Sequence, residues 1–251
     1  YQMKPQANLL KNFSIGPAAL YYQGAISPSS VTLCDVSAFL PAVRLFDEYL
    51  NLSAQFDGNY DTFHMRKLNI GSEKGDLDID ASAVVSGWRR NKMLTWEAHL
   101  EKMNLSAQTV VFLIDNLKGT TIAIPEMISR LGDIHLQGTA HSTASLLCQA
   151  SLQVKSQAGN LLIDGKMDRN KAFGLNLKVP AFNLSNLMDE TAPVGAISAV
   201  VEAHGLLRGK KQSDIRFKAD IKQLECLKYN YQKILLQGQY AQQQLKASVD
   251  M

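Results

Sequence analysis

Long hydrophobic runs are missing from this chain of 251 residues, although hydrophobic residues make up 46 % of it. No run reaches the roughly 18 apolar residues that a membrane-spanning helix needs, so we predict no such helix in the sequence. Charged residues contribute only 20 %, and this composition is typical of a folded chain rather than a disordered one. The apolar residues are therefore distributed over many short elements.

Cysteine is scarce, and so is an excess of either charge. The three cysteines, Cys34, Cys148 and Cys226, lie far apart. This spacing fits neither a disulfide framework nor a zinc site, so we interpret them as small buried thiols. The net charge is +3, and the Lys and Arg residues form no basic stripe among aromatic residues. Nucleic acid is therefore not an expected partner.

The motifs of common enzymes are also missing. The sequence has no HExxH zinc motif, no GxSxG nucleophile elbow, no phosphate-binding GxxxxGK[ST] loop and no GxGxxG fingerprint. Asp76, Asp78 and Asp80 resemble the start of a calcium loop, but the Gly and Glu that such a loop requires at later positions are lacking. We interpret these carboxylates as the solvated face of a strand, and we expect no enzyme activity, no cofactor and no metal.

What the chain does contain is a stretch that occurs twice. Residues 68–83 match residues 152–167 at an offset of 84, and residues 96–106 match residues 175–185 at an offset of 79. The first match has these identical pairs: Leu68/Leu152, Ser72/Ser156, Gly75/Gly159, Leu77/Leu161, Ile79/Ile163 and Asp80/Asp164. A period of about 80 residues indicates an extended repeat structure instead of a compact enzyme.

The repeat sets the expected domain organisation. We predict one continuous repeat fragment of a longer protein over residues 1–251, because the chain starts abruptly and stops in mid-alternation. Repeat units are expected at approximately 37–124 and 125–205, with partial units at 1–36 and 206–251.

Apolar and polar residues alternate along most of the chain, as in strands with one dry and one wet face. Such one-sided strands are typical of antiparallel sheets, and the Gly-containing or polar turns between them suit hairpins. We therefore predict a mainly β fold, an elongated antiparallel β-repeat sheet curled lengthwise, with short interrupting helices. Helices are expected after Pro41 and Pro125, and a capped turn near Asn183 or Ser185. Residues 107–117 are ambiguous.

A sheet with one dry face must cover that face with something. If the sheet curls around its own apolar side, the dry positions line a groove. The candidate lining residues are Leu77, Ile79, Val85, Trp96, Leu100, Leu161, Ile163, Leu175, Leu177, Val179, Ile215 and Phe217.

The second half of the chain resembles a known family. Residues 180–184 (PAFNL), residues 195–197 (GAI) and the run from Ile221 to Gly238 match, in order, motifs of the TamB/AsmA-like bacterial envelope proteins, in the form of the Bacteroidetes-type TamB. The resemblance is clearest over residues 130–245 and fainter over 35–130. Cys226 and Leu227 stand where the family pattern has aromatic residues, a departure that concerns packing more than function.

This resemblance implies a "β-taco", a sheet folded lengthwise around an apolar interior. It also implies a periplasmic location in a protein anchored in the inner membrane outside this fragment, with an outer-membrane Omp85-type barrel protein and phospholipid as partners. A dry groove suits lipid, because each buried CH₂ group is worth roughly 0.8 kcal/mol. The leading hypothesis is thus a groove for acyl chains, and the alternative is a scaffold that guides outer-membrane barrel proteins through strand edges.

Overall fold

A computed structural model of the chain describes residues 2–5, 20–32, 49–87, 94–111, 130–188, 193–207, 214–241 and 244–250. These residues form fourteen strands and very little helix. The strands are β1 (Gln2–Pro5), β2 (Leu20–Thr32), β3 (Tyr49–Asn59), β4 (Thr62–Ser72), β5 (Leu77–Ser86), β6 (Thr95–Leu105), β7 (Ile134–His141), β8 (Leu146–Ser156), β9 (Gly159–Asp168), β10 (Ala172–Asn183), β11 (Val194–Leu206), β12 (Asp214–Cys226), β13 (Tyr229–Ala241) and β14 (Gln244–Asp250).

The chain divides into two compact units. The first comprises residues 1–124 and 139–144, and the second comprises residues 125–138 and 145–251, so strand β7 contributes to both. Within the first unit β1 to β6 are neighbours in chain order, and within the second unit β8 to β14 are. Adjacent strands pair antiparallel within β1 to β6 and within β8 to β14. The predicted mainly β fold of an antiparallel repeat sheet is therefore confirmed.

The two copies of the repeated hairpin differ in their turns. In the first copy Leu68 pairs with Ala81, whereas in the second copy the equivalent Leu152 pairs with Ile163, two residues closer to the turn. The first turn spans residues 73–76, and the second spans only residues 157–158. Because side chains alternate with a period of two, a register difference of two residues leaves every matched side chain on the same face.

The strand that follows the repeated hairpin, β6 in the first copy and β10 in the second, carries a β-bulge at the same position in both copies. The register of β6 shifts after Leu100, and that of β10 shifts after Val179, which is the residue equivalent to Leu100. The extra residues are Glu101 and Pro180. A bulge tolerates proline, because the extra residue is left out of the hydrogen-bonding ladder.

A short helical segment follows each bulged strand, at the Asn-Leu-Ser sequences of residues 104–106 and 183–185. After β6, Ser106 Oγ accepts a hydrogen bond from Thr109 N–H at 3.2 Å, and residues 107–111 are helical. After β10, Asn183 Oδ1 accepts from Ser185 N–H at 3.1 Å, and a 3₁₀-helix spans Leu184–Asn186. The predicted capped turn near Asn183 or Ser185 is confirmed with Asn183 as the capping residue, whereas the equivalent sequence after β6 uses Ser106.

The predicted helices after Pro41 and Pro125 lie outside the described residues. None of the helices in the described segments has both the length and the apolar character needed to cross a membrane.

Candidate functional site

The second unit presents a continuous apolar face, which strand pairing assembles from alternate residues. Directly opposed residues of an antiparallel sheet share a face, so the registers define rows that cross the strands. Three rows run from β8 to β14: Cys148, Met167, Phe173, Gly205, Ile215, Tyr240 and Leu245; Ala150, Gly165, Leu175, Ala203, Phe217, Gly238 and Ala247; and Leu152, Ile163, Leu177, Val201, Ala219, Leu236 and Val249.

The first unit has an apolar face of the same construction. Three of its rows cross β3 to β6, the first two also including β2: Tyr22, Gly58, Phe63, Val85 and Trp96; Ile26, Ala54, Leu68, Ala81 and Leu100; and Leu52, Ile70, Ile79 and Met103. We call the two surfaces the apolar faces and the opposite sides of the sheet the polar faces.

The apolar faces are only partly shielded from solvent. No described side chain falls below 2 % relative exposure. Leu175 is 37 % exposed and most of its row neighbours are half-buried, whereas Val179 and Phe182 are buried near the 3₁₀-helix. In the first unit Leu105 and Val110 are buried where the helical segment 107–111 begins. Ala54, Gly58 and Ala219 of the rows are buried as well, whereas most of the other described row residues are half-buried.

All twelve predicted lining residues lie on these faces. Leu77, Ile79, Val85, Trp96 and Leu100 belong to the first unit. The second unit holds the other seven: Leu161, Ile163, Leu175, Leu177, Val179, Ile215 and Phe217. The structure thus brings each group together within its own unit. Their predicted role in lining a lipid groove stays a prediction.

Alternation alone missed two kinds of face residue. Met103 and Phe182 follow the bulges, where one extra residue reverses the odd-even pattern. The interrupted alternation at 100–103 and 179–182 is the signal that marks them. Glycines were missed as well: the Phe217 ring lies over Gly238 so closely that a Cβ at Gly238 would collide with it. Cross-strand aromatic–glycine pairs of this kind are a known device for covering glycine in sheets.

A polar cluster on the opposite side of the first unit was also missed. The side chain of Asp57 on β3 is only 9 % exposed. Asp57 Oδ2 accepts from the Tyr21 hydroxyl at 2.7 Å and from Arg66 Nη2 at 3.1 Å, and its Oδ1 accepts from Arg66 Nε. His64 Nδ1 lies 3.2 Å from Asp57 Oδ2. These hydrogen bonds from Arg66, followed by that from Tyr21, lower the pKa of Asp57 to about 2 despite its burial.

Asp78 and Asp80 lie on the polar face of β5, as expected for a solvated strand face, whereas the prediction that Asp76 belongs to the same strand is wrong. Lys102 Nζ lies 2.7 Å from Asp78 Oδ2 and 3.6 Å from Asp80 Oδ2, and the hydrogen bond to Asp78 raises the pKa of Lys102. Asp76 lies in the turn before β5. Within the described ranges, no three His, Cys, Asp or Glu side chains are grouped to hold a metal ion.

Comparisons of this chain with models of protein families, with curated proteins and with solved structures give no match. The candidate site is therefore defined by the geometry of the two apolar faces alone.

Proposed function

We propose that this chain is a segment of a periplasm-spanning translocation and assembly module, in which the apolar faces shield or conduct phospholipid acyl chains between the inner and outer membranes. The observation that carries the proposal is the set of half-exposed apolar rows that cross each unit. Large apolar patches that stay accessible usually mark a binding surface.

The dimensions of the apolar faces suit an extended hydrocarbon chain. Strands are spaced about 4.8 Å apart, so a row from β8 to β14 is about 29 Å long and a row from β2 to β6 about 19 Å long. An acyl chain occupies about 15 Å, half the hydrocarbon thickness of a bilayer. Each of these rows is therefore long enough for one chain lying across the strands.

The energetics also favour acyl chains. Each CH₂ group withdrawn from water is worth roughly 0.8 kcal/mol, so a chain of about 16 carbons exposed to water costs on the order of 12 kcal/mol. Partial contact with a half-open apolar face recovers a fraction of this cost. Such partial contact leaves the acyl chain free to move along the face, which is what conduction requires.

The wider assignment rests on the family resemblance of residues 130–245. In this proposal the whole protein is periplasmic, is anchored in the inner membrane and works with an Omp85-type barrel protein in the outer membrane. These elements of the proposal need their own tests, starting with retention of the protein in inner-membrane fractions and capture of the barrel by crosslinking in cells.

Two adjacent valines offer a matched test of lipid binding. Val201 belongs to the apolar face, beside Leu177, whereas Val200 pairs with Lys178 on the polar face. With a photoreactive side chain at Leu175, we expect Val201→Asp to abolish crosslinking to phospholipid and Val200→Asp to leave it unchanged. Circular dichroism verifies that both variants fold. Equal crosslinking in both folded variants would count against the proposal.

A further inference from the structure

The polar face of the second unit has a furrow that runs across β11 to β14. The backbone at Phe217, Gly238 and Ala247 forms its floor, because the side chains of these positions belong to the apolar face. Two cross-strand rows of polar side chains form its walls. One row is His204, Arg216, Gln239 and Lys246, and the other is Glu202, Lys218, Gln237 and Ser248.

The charges of the furrow are unbalanced. Arg216, Lys218 and Lys246 contribute three positive charges and Glu202 one negative charge, a net charge of +2 with His204 neutral. All four of these charged side chains are exposed. None of the three cations forms an ion pair in the part of the chain that the structure describes.

The first unit has a furrow of similar construction, but its cation is neutralised. There the floor includes Gly24 and Phe56, again an aromatic–glycine pair, and the walls include Asp57 and Arg66. Arg66 is held by the Asp57 carboxylate through two hydrogen bonds. Lys102, also on the polar face of that unit, is paired with Asp78. Arg66 and Lys102 thus have partners within the chain, whereas Arg216, Lys218 and Lys246 of the second furrow have no carboxylate within ion-pair distance among the described residues.

We propose that the furrow across β11 to β14 binds a phosphate-bearing anion. Lys246 on β14 lies two strand spacings, about 9.6 Å, from Arg216 on β12, and Lys218 lies about 6.8 Å from Arg216 along β12, so the long side chains of all three residues can reach one group between them. Arg binds phosphate through two parallel hydrogen bonds, and Lys binds it as a point charge. The amide of Gln237 and the hydroxyl of Ser248 supply further donors, whereas Gln239 Nε2 donates to Asp214 Oδ1 at 2.8 Å.

The phosphate belongs either to a lipid headgroup or to a free ion, since the recognition chemistry is the same. The site lies on the face opposite the apolar rows and does not depend on the acyl-chain proposal. If both hold, the second unit has separate surfaces for apolar chains and for anionic groups.

The test uses the full 251-residue chain and two probes. Inorganic phosphate is titrated and followed by ³¹P line broadening, and co-sedimentation is measured with vesicles of phosphatidylglycerol and of phosphatidylcholine. Arg216→Gln, Lys218→Gln and Lys246→Gln should each weaken phosphate-dependent binding about threefold, as expected for exposed charged contacts. Glu202→Gln should strengthen it by a similar factor.

Lys102→Gln is the matched control, because it removes one positive charge from a polar face outside the furrow. Binding of inorganic phosphate that responds to the furrow variants indicates a small-anion site. If the protein binds only to phosphatidylglycerol vesicles, and the furrow variants change this binding as expected, the site recognises a lipid headgroup. The proposal is overturned if neither probe binds, if both vesicle types bind equally in all variants, or if Lys102→Gln weakens binding as much as Arg216→Gln.

Discussion

Replacing Asp57 by asparagine should remove most of the acid sensitivity of the first unit between pH 4 and pH 2. Asp57 is the acceptor at the centre of the polar cluster, bound by Tyr21 and twice by Arg66. The asparagine side chain has nearly the same shape, but it loses the negative charge and keeps only one of the two acceptor oxygens. The change therefore removes the group that titrates, together with at least one of its hydrogen bonds.

The magnitude follows from the pKa of Asp57. Its value is lowered from 3.8 to about 2 in the folded chain, mainly by the hydrogen bonds from Arg66. Since each pKa unit corresponds to about 1.4 kcal/mol, ionised Asp57 stabilises the folded state by about 2 kcal/mol. The folded pKa is the lower one, so this contribution is fully present above pH 4 and is lost as the pH falls through about 2.

Urea denaturation followed by tryptophan fluorescence measures this effect in the first unit, which contains Asp57. Of the two tryptophans in the chain, Trp96 lies on β6 of the first unit, and Trp88 lies outside the described residues. Between pH 5 and pH 2, the unmodified chain should lose about 2 kcal/mol more unfolding free energy than the Asp57→Asn variant. Arg66→Gln should likewise reduce the pH dependence.

Lys67→Gln is the control, since it removes a neighbouring positive charge that forms no ion pair among the described residues. We expect it to keep the pH dependence of the unmodified chain. The reasoning would be refuted if Asp57→Asn and the unmodified chain lost equal stability on acidification.

Two further predictions concern the backbone of the second unit. Gly238→Ala should lower the free energy of unfolding by about 1–3 kcal/mol, because the new Cβ would collide with the Phe217 ring. Gly174→Ala is the control and should cost far less, because its Cβ would contact only the flexible Lys166 side chain, 3.4 Å away. Equal losses of stability in urea denaturation would contradict this prediction. Leu227 and Lys228 form the two-residue turn between β12 and β13, with positive φ angles of 52° and 67°. Asn and Gly tolerate such angles better than Leu and Lys, so the double variant Leu227→Asn, Lys228→Gly should stabilise the unit by about 1 kcal/mol. An unchanged denaturation midpoint would show that the turn is not strained.

Local periodicity predicted the elements and faces that depend on neighbouring residues in the chain. The alternation around Ile79 and Leu177 located the apolar faces, and the matched Asp80 and Asp164 lie on the polar faces. The polar residues around Asn183 predicted a capped turn, with Asn183 as the capping residue in the structure. Each of these features is set by the two-residue repeat of a strand or by side chain–backbone hydrogen bonds within a few residues.

Features that depend on pairing between distant residues were not predictable in this way. The bulges at Glu101 and Pro180 change which residues face the apolar side, and a pattern that assumes strict alternation places the following residues wrongly. The cluster around Asp57 joins three strands, so its members look unrelated in the sequence. The furrow across β11 to β14 likewise exists only through the register of its strands.

Site-specific crosslinking at two adjacent residues of β10 tests the central claim most directly. The side chains of Leu177 and Lys178 point to opposite faces of the same strand. With a photoreactive group at each position in turn, in cells that make the full-length protein, we predict phospholipid adducts from position 177 and none from position 178. Equal labelling at both positions, or adducts at 177 only with unfolded barrel proteins, would contradict the proposal that the apolar face carries lipid.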